Sequence, residues 1–321
     1  MPKIRPVILC GGAGSRLWPL STPEKPKPFH GFGQAHSLFQ QTLLRTCNAV
    51  FSAPSIVVAR HDHAALVQSQ SRELDISVEL VLEPEGRDSC AAAIAGVLQA
   101  ARHQANCLVA IMAADHHIPD GAAFAEGYAK AADLAQAGRL VTFGVSPRCA
   151  TSDYGYVLPN GSSVRFVEKP PLEEAILLIA KGARWNSGNF LGRADIWREE
   201  MARHVPLALQ AVEKAFAGAA EGCLSDDFCG APVQSLDEAI LEKSDRVAMT
   251  PVDYAWSDVG TWDEVARLQG KADAFVLADD VKVLTPGLDD LIIVAFGKQL
   301  LVTKRGQSQA LKQLLRETSH D

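Results

Sequence analysis

The chain has 321 residues, enough for one large domain with a smaller appendage and a sizeable core. Apolar residues at 47% and charged ones at 21% exclude a disordered or fibrous chain, and no apolar run approaches the roughly 20 residues that cross a bilayer. A net charge of −7 argues against nucleic acid as a partner, since such partners are met by basic surfaces.

Residues 1–5 lead directly into an apolar run, with no secretory leader pattern. The seven cysteines (Cys10, Cys47, Cys90, Cys107, Cys149, Cys223 and Cys229) form no CxxC pair. They read as reduced residues of a cytoplasmic protein. A first strand, 5–10, empties into Gly11, Gly12, Ala13 and Gly14, followed by Ser15 and Arg16. Backbone N–H groups unshielded by Cβ atoms suit phosphate oxygens, and Arg16 and Lys27 add cationic donors. The spacing matches neither dinucleotide nor Walker loops, because Leu17 stands where a third glycine would and no Gly-Lys-Ser/Thr follows. A plain tight turn is the alternative reading of the glycines alone.

Further strands are predicted at 55–60, 77–82, 107–113 and 140–145, alternating with helices at 37–50, 61–72, 88–104 and 120–137. Ser37 and Asp88 are candidate N-caps, and Asp120 precedes the last of these helices. The alternation predicts an α/β fold with a Rossmann-like, mostly parallel sheet flanked by helices. Ligands in such sheets bind beyond the carboxyl ends of strands, which places 11–16, 83–89 and 114–118 along one edge. Glu83, Gly86, Arg87, Asp88 and Ser89 sit where a helix opens, and its free N–H groups suit a base edge or a phosphate.

Asp115 ends a strand and is followed by His116 and His117. Read with the histidines, it suggests a transition-metal phosphoesterase. Adjacent side chains in an extended segment diverge, however, so the histidines read better as caps or packing residues. A carboxylate beside a phosphate loop suits Mg²⁺, and Asp258, in a Trp-Ser-Asp-Val-Gly-Thr-Trp turn, is the candidate second ligand. Asp258 could instead cap the helix starting near Thr261.

From 150 the pattern changes. Strands are expected at 154–157 and 163–168 around a Pro-Asn-Gly turn, with Glu168 and Lys169 at the second strand's end. A helix at 171–181, a polar-aromatic segment at 185–190 and helices across 194–218 come next. Glu168, Lys169 and Asn186 have the chemistry of a sugar-phosphate site, though each could be an ordinary surface turn or loop. Ser235 and Glu238 fit a capping box opening another helix. Strands at 281–284, 291–295 and 299–303 and a helix at 307–317 are predicted last, giving a main unit of 1–270 and a small C-terminal β/α unit of 271–321.

Eight collinear segments resemble the sugar-phosphate nucleotidyltransferases, particularly their guanylyl branch: GGAGSRLWPLS (11–21), KPKPF (25–29), EPEGRDS (83–89), MAADHHI (112–118), YGY (154–156), FVEKP (166–170), WNSGNF (185–190) and WSDVGTW (256–262). The resemblance implies a GT-A-like fold and attack of mannose 1-phosphate on the α-phosphorus of GTP. Gly11, Gly12, Gly14 and Ser15 would cradle the nucleotide phosphates, with Arg16 and Lys27 catalytic on the triphosphate. Glu83, Gly86, Arg87, Asp88 and Ser89 would hold the guanosine. Gly155, Glu168, Lys169 and Asn186 would line the sugar-phosphate side, and Asp115 and Asp258 would bind Mg²⁺. Pro28, Asp88 and Asn189 depart from the residues common in the family, which are glutamine, asparagine and methionine. The expected assembly is a homodimer, and a chain ending at 321 leaves no room for an isomerase domain. Another hexose 1-phosphate, another base, or an inert regulatory relative are the alternatives.

Overall fold

The computed structural model describes residues 3–12, 14–161, 163–218, 222–271, 273–278, 281–307, 310, 311 and 313–315. Four strands, β1 (Ile4–Cys10), β2 (Ser55–Arg60), β3 (Val78–Glu83) and β4 (Leu108–Ala113), run parallel in the order β3-β2-β1-β4. Their connections carry α1 (Leu38–Thr46), α2 (Ala64–Glu73) and α3 (Asp88–His103). These strands read as continuous apolar runs because both faces are covered. In β1, Ile4, Ile8 and Cys10 pack into the core layer that holds Phe39 and Leu43 of α1 and Val67 of α2. Val7 points the other way, into the layer holding α3.

The chain leaves β1 towards β2 and later returns to place β4 on β1's other flank, so a crevice opens between the carboxyl ends of β1 and β4. The glycine turn leaves one lip and Asp115 the other. Beyond these, α4 (Gly121–Gln136) precedes β5 (Leu140–Val145), and β6 (Tyr156–Asn160) and β7 (Ser163–Val167) form a hairpin. After α5 (Leu172–Ala180), the long β8 (Arg184–Arg193) inserts antiparallel between β4 and β5 and also pairs β6. Residues 185–190 are therefore strand, not loop. Helices α6 (Ala194–His204) and α7 (Pro206–Ala217) cover the α3 face. A strand not foreseen in the sequence, β9 (Val247–Val252), pairs β5 in parallel. Among the described residues the sheet has nine strands.

Local signals explain most of the boundaries. Ser37 accepts from the Gln40 backbone while the Gln40 side chain returns to the Ser37 N–H, a complete capping box. That helix stops at Thr46, short of the expected residue 50. Asp120 caps α4 by accepting from Ala123 N–H at 2.9 Å. Asp88 is not a cap: it is the first residue of α3, at φ 61°, and its carboxylate turns onto the N–H of Ser89 at 2.6 Å. Ser235 accepts from Glu238 N–H at 3.2 Å, but the segment it opens is a short π-turn, Asp237–Leu241.

A second, three-stranded sheet of β10 (Phe275–Ala278), β11 (Leu291–Phe296) and β12 (Gln299–Lys304) packs on α8 (Trp262–Leu268). The strand expected at 281–284 lies instead at 275–278; no strand is assigned at 281–284. Phe275, Ile292 and Val294 join Trp262 and Val265 with Leu17, Phe32 and Leu38, so this sheet braces the loop after the glycine turn. Of the helix expected at 307–317, residues 310, 311 and 313–315 are helical, and 308, 309, 312, 316 and 317 lie outside the described residues.

Gly96, in the middle of α3, lets that helix lie on β1: an added Cβ would sit 2.1 Å from Val7 Cγ1. Gly96→Val is expected to destabilise the fold by about 3 kcal/mol through overpacking, lowering the urea midpoint. An unchanged midpoint would contradict this packing.

Candidate active site

After β1, Gly12 (φ 95°) and Gly14 (φ 57°) adopt the left-handed backbone that favours glycine. Gly14 is further constrained, since a Cβ there would lie 2.5 Å from Lys27 Cβ. The turn thus holds Lys27 tightly beneath it. Lys27 is buried, and its Nζ lies 2.7 Å from Asp115 Oδ2 and donates to the backbone carbonyl of Asp258. One ammonium therefore links the end of β4 to the distant 256–260 turn. That turn is fixed in turn by an antiparallel bridge, with His117 N–H to Ser257 O at 2.9 Å and Ser257 N–H to His117 O at 3.1 Å.

Electrostatics follow from this arrangement. Burial works against the Asp115 charge, but Lys27 outweighs it and holds the carboxyl below its ordinary range. Burial and the neighbouring Glu264 carboxyl push Asp258 upward. Glu264 goes the other way, because Asp258, Tyr154 and the Gly260 N–H all donate to it against its burial. Asp258 is not the helix cap: Thr261 caps α8, accepting from Glu264 N–H. The Arg16 guanidinium reaches the same turn, 3.2 Å from where a Gly260 Cβ would lie.

Two cavities open here. The larger, about 650 Å³, is lined by Gly11, Gly12, Glu83, Gly86, Arg87, Asp88, Ser89 and Asp115. The smaller, about 350 Å³, is lined by Gly155, Glu168, Lys169, Asn186 and Asp258. Glu83, Gly86, Arg87, Asp88 and Ser89 thus contribute to one cavity, and Gly155, Glu168, Lys169 and Asn186 to the other. Ser15 and Arg16, in the short turn Ser15–Leu17, line neither, nor do Gly14 and Lys27, which sit below. His116, Gly188 and Asp237 line both and form the wall between them.

In the larger cavity Glu83 is 4% exposed, and among the described residues its Oε1 has no hydrogen-bond partner. Burial pushes its carboxyl up to about 8, against the pull of Arg60. Ser89 is partly committed to structure, accepting from Leu236 N–H at 3.0 Å. In the smaller cavity Lys169 pairs with Glu168. Asn186 is held on three sides: Thr142 Oγ1 donates to its Oδ1 at 3.2 Å, Gly188 N–H does so at 3.2 Å, and its Nδ2 donates to Asp237 Oδ1 at 2.7 Å. Asn189 is buried, donates to Ser187 O and lines neither cavity, so it does not face a sugar from here. Pro28 is likewise buried, in the turn Lys27–Phe29.

His116 and His117 part company. His117 Nδ1 lies 3.1 Å from Gln41 Oε1, whereas His116 Nδ1 faces Trp256 Nε1 at 3.3 Å. The two imidazoles do not share a site, which removes the basis for the phosphoesterase reading. Asp237 was missed in the sequence, where the Ser235–Glu238 pattern spoke only of a helix start. Burial, with the opposing help of Asn186, leaves its carboxyl raised to about 6.

A nucleotidyl transferase family model matches residues 5–274. A mannose-1-phosphate guanylyltransferase of Escherichia coli is 35% identical over 96% of this chain and 72% of its own length. The xanthan biosynthesis protein XanB of Xanthomonas campestris pv. campestris is 34% identical over 98% of this chain and 73% of its own. Among solved structures, a protein of Thermus thermophilus named a mannose-1-phosphate geranyltransferase superposes with a TM-score of 0.86, at 28% identity, over 99% of both chains.

Proposed function

Because the chain belongs to the nucleotidyl transferase family and, within it, to the mannose-1-phosphate guanylyltransferases, we propose that it transfers GMP from GTP to mannose 1-phosphate, releasing pyrophosphate. The observation that carries this reading is the pair of cavities meeting at one wall beside the glycine turn. GTP in the larger cavity and the sugar phosphate in the smaller would bring nucleophile and α-phosphorus together at that wall.

An oxygen of mannose 1-phosphate attacks the α-phosphorus, and the bond to the bridging oxygen breaks with its electron pair leaving on pyrophosphate. Gly11 and Gly12 offer N–H groups to the phosphates, and Arg16 and Lys27 offset their charge. Glu168 and the clamped Asn186 orient the sugar beside Gly155, while Lys169 meets its phosphate. Lys27 sits as a cation between the Asp115 carboxylate and the Asp258 carbonyl, so these oxygens fit a hard divalent ion such as Mg²⁺. Asp115 and Asp258 would hold that ion, which supplies neutralisation of charge on the phosphate oxygens.

Guanine suits Glu83. Its N1–H and 2-amino group present adjacent donors, which an ionised carboxylate accepts together. Glu83 is protonated in the empty site up to about pH 8, so accepting those donors releases a proton at lower pH. GTP affinity is therefore expected to rise between about pH 6 and 8, by up to about tenfold per unit, and to level off above. Glu83→Gln should abolish this dependence and lower kcat/KM for GTP by about 10- to 100-fold. A variant that keeps the wild-type pH slope in calorimetry would refute the base contact.

The free state of all seven cysteines supports a cytoplasmic setting, and no helix among the described residues is long and apolar enough to cross a membrane. We take residues 1–270 as the catalytic unit and 271–321 as a C-terminal unit. On the outer face of its sheet Val276, Leu300 and Val302 are exposed, which supports a homodimer; sedimentation would test it. The function itself is tested by supplying GTP, mannose 1-phosphate and Mg²⁺ and measuring pyrophosphate, beside the other nucleotides and hexose 1-phosphates. GTP with mannose 1-phosphate should be the best pair. Equal or better turnover with dTTP would sink the guanine assignment.

A further inference from the structure

We propose that His116 is a catalytic residue, donating a hydrogen bond from Nε2–H to a non-bridging oxygen of the phosphoryl group being transferred. The proposal rests on the function given above and adds to it a residue that the sequence left as a cap or packing contact.

The first support is position. Of the residues lining the cleft, His116, Gly188 and Asp237 face both cavities, so a group passing between the two substrates passes His116. Gly188 keeps that edge of the ring open, since a Cβ there would come within 3.4 Å of His116 Cε1.

The second support is the tautomer. Trp256 Nε1 lies 3.3 Å from His116 Nδ1, and an indole nitrogen can only donate. Nδ1 must therefore accept, and the neutral ring carries its proton on Nε2. Among the described residues none hydrogen-bonds Nε2. The donor is left for a ligand. The Trp256 ring also stands edge-on to the imidazole, with centroids 5.4 Å apart at 81°, which fixes the ring's plane.

The third support is the rigidity of the backbone that carries the ring. The buried Arg45 has backbone carbonyls and a hydroxyl as its partners: His116 O at 3.1 Å, Ile118 O at 3.4 Å and Thr42 Oγ1 at 2.6 Å. Thr42 in turn donates towards Ala114 O at 3.2 Å. The segment 114–118 is thus pinned from below by α1, as a preorganised donor requires.

In the reaction His116 keeps its proton. The bond from the sugar-phosphate oxygen to the α-phosphorus forms, the bond to the bridging oxygen breaks, and the hydrogen bond donated by Nε2–H to the non-bridging oxygen shortens as charge gathers there.

The test compares His116→Leu, His116→Gln and Trp256→Phe in the full chain, assayed with GTP, mannose 1-phosphate and Mg²⁺. His116→Leu should lower kcat about 100-fold, with both KM values within about threefold. The glutamine amide restores an N–H close to the Nε2 position, so His116→Gln should recover to within about tenfold of the parent. Trp256→Phe, which frees the tautomer, should lower kcat about tenfold. Nitrogen NMR of the unsubstituted enzyme, which depends on no variant folding, should show Nε2 protonated and Nδ1 bare. Undiminished turnover in His116→Leu, a glutamine variant as poor as leucine, or a proton on Nδ1 would overturn the proposal. If the unsubstituted chain makes no GDP-mannose at all, the assigned function fails and this inference with it; an active chain indifferent to His116→Leu refutes the inference alone.

Discussion

Lys27→Met is expected to lower kcat by about 100- to 1000-fold while the protein stays folded. The methionine keeps the length and packing of a side chain that is only 8% exposed, but removes the ammonium joining Asp115 to the Asp258 turn. Two effects follow. The triphosphate loses a fixed positive charge where charge grows, and Asp115 loses the partner that keeps its carboxyl ionised. The stability cost should fall below the about 3–5 kcal/mol of breaking a fully buried pair, because Asp115 keeps 23% of its side-chain exposure. Pyrophosphate release measured beside a thermal melt separates the two quantities. Turnover like that of the unsubstituted enzyme would remove Lys27 from its role.

Asp115→Ala is expected to cost a similar factor in kcat, about 100- to 1000-fold, and to raise the Mg²⁺ concentration needed for half-maximal turnover. Asp258→Ala should do the same. Their combination is the more telling experiment. Two groups serving one ion act as a unit, so the double variant should be within about tenfold of the worse single one. Multiplying losses would mean that the carboxylates act separately. Both residues meet the one Lys27 ammonium, Asp115 by its carboxylate and Asp258 by its main-chain carbonyl.

The parallel half of the sheet was legible because strands covered on both faces must be apolar throughout, as in Ile4–Cys10 and Leu108–Ala113. Two strands escaped for opposite reasons. β9 contains Thr250 and Pro251 and ends the strand order, where a missing N–H is tolerated, so its sequence lacks an interior signature. β8 is central, yet Asn186, Ser187 and Asn189 give it a polar look, because Asn186 and Ser187 face the cleft and the buried Asn189 bonds the Ser187 carbonyl. The C-terminal strands lacked strong alternation, and the first was placed six residues too late, at 281–284 instead of 275–278.

For the site, short motifs conveyed which residues cluster, since a turn, a strand end or a helix start is a local event. Glu83, Gly86, Arg87, Asp88 and Ser89 line one cavity and Gly155, Glu168, Lys169 and Asn186 the other. What lay beyond the sequence was the wall between them. His116 draws its tautomer from Trp256, 140 positions away, and Asp237 meets Asn186 from a turn 51 positions away. Neither contact leaves a periodicity or spacing to read.

The most direct measurement is a crystal structure with GDP-mannose and Mn²⁺ in place of Mg²⁺. The base should lie against Glu83, the mannose against Glu168 and Asn186, and the anomalous peak between the carboxylates of Asp115 and Asp258. A guanosine outside the larger cavity, or a cation bound by neither aspartate, would contradict the account.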